Sequence, residues 1–229
     1  ILQLAIRKKN IILEGPPGVG KTFLARLIAY VLLGKKDDSK IWTTQFHQGT
    51  DSSDFIERTE IINNTSVTKL VGFAKFCEKI KDDKDNLYVC IIDEFNRGNP
   101  PAIFGDVFTA IENNKRDKVI YLTNSGNPFV VPSNLIIISC LNPLDKSVSN
   151  IDHALMQRFS RISIEPGFDT PNFINDFNQW FGEKYYTKTI DFIKELNQEI
   201  ADDNDLGSQY SIGHRPFCVN DNLGLDGLK

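Results

Sequence analysis

Eight residues, Gly15-Pro16-Pro17-Gly18-Val19-Gly20-Lys21-Thr22, constrain this chain more than any other stretch. They fit the pattern G-x-x-x-x-G-K-[ST], and their flanks matter as much as the match. Lys9-Asn10-Ile11-Ile12-Leu13-Glu14 reads as a short buried strand, while Phe23-Leu24-Ala25-Arg26-Leu27-Ile28-Ala29-Tyr30 carries apolar residues at helical spacing. A strand, a glycine-rich turn and a helix in that order aim backbone N–H groups and the positive end of a helix dipole at one point, which makes an anion cradle. Lys21 would reach the β- and γ-phosphates of a nucleoside triphosphate, and the Thr22 hydroxyl would hold Mg²⁺. Nucleotide contacts are expected from Gly15 through Phe23.

The rest of the chain alternates strands with helices. Ile41 to Phe46 is β-branched and aromatic, as a strand should be. Residues 49–67 are polar and weakly periodic and read as loop, with a short helix near Asp54-Phe55-Ile56; a helix from Leu70 to Lys81 follows. Leu87-Tyr88-Val89-Cys90-Ile91-Ile92 and Leu135 to Leu141 are continuously apolar, which marks strands buried on both faces of a parallel sheet. Asn99-Pro100-Pro101 supplies a cap and a proline start for a helix over 102–111. Lys118 to Leu122 and Pro128 to Val131 flank Thr123-Asn124-Ser125-Gly126-Asn127 as a β-hairpin. A short helix over 151–157 and a strand over 161–164 complete this part. The order implies an α/β core, a parallel sheet with helices on both faces, over 1–166. Beyond Glu165-Pro166-Gly167 the composition shifts to Phe- and Trp-rich helical sequence. Residues 167–229 are therefore expected to form a small helical lid, truncated at its end.

The chemistry concentrates at strand ends. Asp93 closes the first apolar run and can reach a Mg²⁺ held by Thr22; the adjacent Glu94 is placed to polarise an attacking water. Asn142 closes the second run, where a neutral amide can hydrogen-bond both that water and the γ-phosphate. Arg158, just before Phe159, is the candidate arginine finger, with Arg161 as its alternative. Arg215, in His214-Arg215-Pro216, is a candidate γ-phosphate contact from the lid. Asn114-Lys115-Arg116-Asp117 matches the guanine-reading N-K-x-D, but it follows a helix and precedes a hairpin, so it reads as a charged turn.

Composition removes other classes. The 229 residues are 41% hydrophobic and can build a core, and a net charge of −4 argues against a general polyanion binder. Cys77, Cys90, Cys140 and Cys218 show no C-x-x-C pair, which points to a reducing cytoplasm rather than a disulfide framework. The histidines are too scattered for a metal cage. No apolar run reaches membrane-spanning length, and there is no signal peptide, so no membrane is expected. The opening at Ile1, almost on the first strand, reads as a domain cut from a longer protein.

The order phosphate loop, Asp-Glu, Asn, Arg-Phe, helical lid resembles a P-loop NTPase of the AAA+ class, a three-layer α-β-α parallel-sheet core with a C-terminal lid. The hairpin before Asn142 resembles the insertion of one AAA+ subset. Gln45-Phe46-His47-Gln48, Ile92-Asp93-Glu94-Phe95-Asn96-Arg97, Glu165-Pro166-Gly167-Phe168-Asp169-Thr170-Pro171, Glu195-Leu196-Asn197-Gln198-Glu199-Ile200 and Ile212-Gly213-His214 resemble the McrB family. This resemblance spans residues 9–218. It implies GTP-driven hydrolysis within a modification-dependent restriction system, a hexameric ring of identical protomers and a separate McrC-like nuclease subunit. DNA would be reached only indirectly, through an N-terminal domain absent from this chain. The family's Asn-Thr-Ala-Asp-Arg-Ser signature stands here as Asn142-Pro143-Leu144-Asp145-Lys146-Ser147, which keeps Asn142 and Asp145 as candidate nucleotide contacts. GTP is favoured as the substrate, with ATP as the alternative. Two further readings stand beside this one, an ATP-driven remodelling chaperone unconnected with DNA and a nucleotide-gated assembly scaffold; the intact Glu94 argues against the scaffold.

Overall fold

The computed structural model describes residues 1–144 and 153–218, which fall into two compact units. The first comprises 1–13, 22–141 and, of the later residues described, 153–162. The second comprises 14–21, 142–144 and 163–218.

The first unit is built on a five-stranded parallel sheet flanked by helices. Helix α1 (Leu2–Lys8) leads into β1 (Asn10–Glu14), and α2 (Lys21–Leu33) follows the glycine loop. Next come β2 (Ile41–Gln45), α3 (Ser52–Phe55), the hairpin β3 (Glu57–Ile62) and β4 (Thr65–Leu70), α4 (Gly72–Ile80) and β5 (Tyr88–Asp93). Helix α5 (Pro100–Phe104), the hairpin β6 (Ile120–Tyr121) and β7 (Pro128–Phe129), β8 (Leu135–Leu141), α6 (His153–Arg158) and β9 (Ser160–Ser163) complete it. The strand order is β2-β5-β8-β1-β9, so β5 and β8 are neighbours, with Tyr88 opposite Leu135 and Ile92 opposite Ser139 in parallel register. Both are buried along nearly their whole length, as their unbroken apolarity requires. Strand β5 ends on Asp93, and β8 ends on Leu141 beside it.

Three local features depart from the sequence reading. Residues 57–70 form a two-stranded antiparallel sheet rather than a loop. Its side chains are mostly exposed, so it has no apolar alternation to betray it; Thr59 facing Thr68 and the Lys69–Glu60 ion pair stitch it instead. The helix over 102–111 is interrupted: α5 begins on the expected cap, with Asn99 Oδ1 accepting from Ala102 N at 3.4 Å, but Gly105 takes φ 50° and the chain continues as a 3-10 turn. Helix α1 occupies the residues read as leading straight into the first strand.

The core of this unit is aromatic on one side of the sheet. Phe46, Phe55, Phe73 and Phe104 are buried in mutual contact, with ring centroids 4.9–6.5 Å apart, and Trp42 packs against Phe55 and Phe73. Each ring buried fully contributes on the order of 1.5–3 kcal/mol.

The second unit contains α7 (Pro171–Phe181) and α8 (Glu183–Asp202), packed through Phe168, Phe173, Phe177, Ile190 and Ile193. It also holds the turn Gly15–Lys21. Among the described residues no helix is long and apolar enough to cross a membrane.

Candidate nucleotide-binding site

The glycine loop leaves β1 through a close passage. Ile164 N donates to Glu14 O at 2.7 Å, and a Cβ on Gly15 would stand 2.3 Å from Ile164 O, so no other residue fits there. Gly18 has φ 77°, and its carbonyl accepts from Arg215 N at 2.9 Å. The segment carrying Arg215 thus sits directly on the loop through its backbone. Lys21 Nζ is folded onto the loop, donating to Gly15 O at 2.8 Å and Pro16 O at 2.9 Å. A phosphate oxygen offers this ammonium a stronger, charge-assisted partner than either carbonyl. Pro16 and Val19 are buried, Pro17 is exposed, and Phe23, on the first turn of α2, is largely exposed.

In the first unit, Thr22 and Asp93 meet. Thr22 Oγ1 donates to Asp93 Oδ2 at 2.8 Å across 71 residues of sequence, and Asp93 Oδ1 accepts from Glu94 N at 3.0 Å. Both carboxylate oxygens are oriented. Mg²⁺ fits this donor set, because it takes one or two protein oxygens and leaves its other positions to phosphate and water. Among the described residues no group of three or more His, Cys, Asp or Glu forms a metal cage, and a phosphate-bound Mg²⁺ requires none.

Glu94 adopts φ 49° and ψ 43°, the left-handed region, where a residue with a Cβ is strained. Its Oε2 lies 3.2 Å from Arg97 Nε. Arg97, which strand logic alone did not single out, is thus an ion-pair neighbour of Glu94 at i+3 on the turn after Asp93.

Comparison with known proteins matches residues 10–159 to the family described as AAA domain (dynein-related subfamily). The chain belongs to this family. It is 41% identical over 226 residues to the Type IV methyl-directed restriction enzyme EcoKMcrB subunit of Escherichia coli (strain K12), covering 95% of this chain and 49% of that protein. It is also 31% identical over 87 residues to the Type II restriction enzyme BsuMI component YdiS of Bacillus subtilis (strain 168), covering 32% of this chain and 25% of that one. The chain therefore spans about half of the first relative and a quarter of the second.

In this AAA domain the remaining candidates are placed differently. Asn142 Oδ1 accepts from Leu144 N at 3.2 Å, an Asx turn that fixes the amide just beyond β8. Asp145 lies outside the described residues, as do Lys146 and Ser147. Arg158 closes α6, where Glu112 and Phe108 hold it. Arg161, on β9, is exposed. The N-K-x-D match is dismantled. Arg116 is buried rather than solvated, donating to Ile111 O, Pro132 O and Asn10 Oδ1, and Asp117 accepts from Ser133 N at 3.1 Å. Burial pushes the Arg116 guanidinium down to about 10. His214 Nδ1 accepts from Gly167 N at 2.8 Å, so this ring is neutral, and burial lowers its pKa.

Proposed function

We propose that this chain is the nucleotide-hydrolysing module of a ring-forming AAA+ motor, with GTP the favoured substrate and ATP the alternative, which powers a modification-dependent restriction complex containing a separate nuclease subunit. The observation that carries the chemistry is the Thr22–Asp93 hydrogen bond, because two distant motifs deliver their oxygen ligands to one point. The similarity to the EcoKMcrB subunit carries the biological setting, and the similarity to a second restriction component supports it.

In this reading Lys21 and the backbone N–H groups of Gly18 and Gly20 bind the β- and γ-phosphates, and Thr22 and Asp93 hold Mg²⁺. The ion supplies charge neutralisation for the transferring phosphoryl group. Glu94 accepts a proton from the attacking water as it becomes the nucleophile, Asn142 orients that water, and Arg215 and Asp145 complete the nucleotide contacts. Arg158 acts in trans, stabilising the charge that spreads over the phosphate of a neighbouring protomer.

The test measures binding and turnover of GTP and ATP side by side, with and without the nuclease subunit. Lys21→Ala should abolish tight binding of both nucleotides by calorimetry, and unchanged affinity would remove the phosphate-loop assignment. Nuclease-stimulated turnover of GTP over ATP is the outcome expected; turnover indifferent to any nuclease subunit would separate this chain from restriction.

A further inference from the structure

Arg158 is held more firmly than a surface arginine needs to be. Nη2 lies 2.8 Å from Glu112 Oε1, Nε donates to Phe108 O at 3.0 Å, and Cζ stands 4.4 Å from the centroid of the Phe108 ring. Only 12% of its side chain is exposed. The backbone is tied as well. Asn10 Nδ2 donates to Arg158 O at 3.0 Å and to Ile111 O at 2.8 Å, and the buried Arg116 donates to Asn10 Oδ1 at 2.7 Å. Because Ile111 precedes Glu112, one network anchors both the residue carrying the carboxylate and the residue carrying the guanidinium. Phe159 is buried against Phe95 with ring centroids 5.2 Å apart, which fixes the next residue along. All of these groups belong to one compact unit.

The electrostatics allow this mount to present a cation. Glu112 Oε2 also meets Lys115 Nζ at 3.1 Å, so one carboxylate is shared between two cations and the cluster keeps a net positive charge. A cavity of about 770 Å³ opens beside it, lined by Arg158, Arg7 and Lys8 as well as Glu112. An arginine already locked in place loses no rotamer freedom when phosphate charge develops, and preorganised charge is the kind that lowers a barrier.

We propose that Glu112 is a positioning residue for Arg158: together with Phe108 it fixes the guanidinium in the orientation in which it meets the nucleotide of a neighbouring protomer. This rests on the trans assignment of Arg158 made above. Glu112 touches no nucleotide in this arrangement and acts only through the arginine.

The experiment uses the full-length protein with its nuclease subunit and co-expressed, differently tagged protomers, so that mixed rings are verified by pull-down. Glu112→Ala alone should lower kcat on the order of ten- to a hundred-fold while the nucleotide KM shifts by no more than about two-fold, since its own pocket is intact. Mixed with Glu94→Gln, which has a dead pocket and a sound finger, it should regain activity. Mixed with Arg158→Ala it should stay inactive, because both damage the same device. Glu112→Gln keeps the shape and one acceptor, should fall between wild type and Ala, and carries the test if the alanine variant fails to fold. Wild-type or faster turnover by either variant, or recovery on mixing with Arg158→Ala, overturns the proposal. Failure of Arg158→Ala to complement Glu94→Gln in verified mixed rings instead overturns the trans assignment itself, and the role of Glu112 falls with it.

Discussion

At the scale of single residues, the site is marked by conformational cost. Glu94 sits at φ 49°, a conformation that costs a side-chain-bearing residue roughly 1–3 kcal/mol and persists only where its surroundings impose it. Here the Asp93 carboxylate accepts the Glu94 N–H, and Phe95 is fully buried just beyond. Replacing the carboxylate with an amide leaves those restraints intact. Glu94→Gln is therefore expected to bind nucleotide normally and to lose at least about a hundred-fold in turnover, since the amide cannot take the water's proton; wild-type turnover in a single-turnover assay would remove Glu94 from the mechanism. Arg116 is the opposite case, a residue whose importance is entirely internal. Arg116→Met should destabilise the fold by about 3 kcal/mol or more, because three buried acceptors each lose a donor worth roughly 1–3 kcal/mol. Denaturant titration measures that loss. Asp117→Ala should leave the GTP-to-ATP affinity ratio unchanged, and a large shift in that ratio would restore the guanine-reading role to this motif.

At the scale of elements, the second unit depends on two close approaches. A Cβ on Gly213 would stand 2.3 Å from the carbonyl carbon of Gly18 and 2.5 Å from the carbonyl oxygens of Pro17 and Gly18. Gly213→Val must push the segment off the loop, at about 1–3 kcal/mol as overpacking usually costs. Weaker nucleotide binding with the Arg215 N–H bond to Gly18 O broken is the expected result, read by calorimetry against Gly213→Ala, which should be milder. The other approach is the Gly167–His214 hydrogen bond. Burial lowers the folded pKa of His214 below its ordinary 6.5, so the unfolded chain takes up this proton first as the medium acidifies. The stability it contributes is complete above pH 6.5 and is lost as pH falls through the folded pKa. Trp180, on α7, reports this unit, and Trp42 reports the core. In a Trp42→Phe background the Trp180 unfolding midpoint should fall as pH drops from 7 to 5, and His214→Gln should flatten that dependence. An unchanged slope in His214→Gln would assign the acid sensitivity elsewhere.

At the scale of the whole molecule, the buried sheet controls what reagents can reach. Cys77, Cys90 and Cys140 are buried and Cys218 is only partly so. Burial raises the thiol pKa of Cys77 and Cys90 well above the ordinary range, so neither presents a thiolate near neutrality. A thiol reagent should titrate one cysteine, Cys218, in the native protein and all four after denaturation. Rapid native reaction of more than one would mean that the first unit opens far more often than its packing implies.

How far all this was legible in the sequence depended on whether the cause was local. The phosphate loop, the buried strands β5 and β8, the cap at Asn99 and the Asp93-Glu94 pair were readable because glycine pattern, unbroken apolarity and capping chemistry act within a few residues. A parallel sheet flanked by helices was readable too, since alternating strands and helices allow few other arrangements; its strand order came from the structure. The β3–β4 hairpin was not readable, because exposed strands joined by polar cross-strand pairs carry no alternation to detect. Nor was the fate of Asn114-Lys115-Arg116-Asp117. A four-residue motif states which groups are present, whereas only the fold brought Asn10, Ile111 and Pro132 around Arg116 and set Glu112 against Arg158. The chain alone marked which residues are candidates for the chemistry, because residue type and near-neighbour spacing set what a side chain can do. The tertiary structure decided which of them are oriented and by what, because hydrogen bonds and ion pairs form between residues a hundred positions apart only when packing delivers both partners to one place.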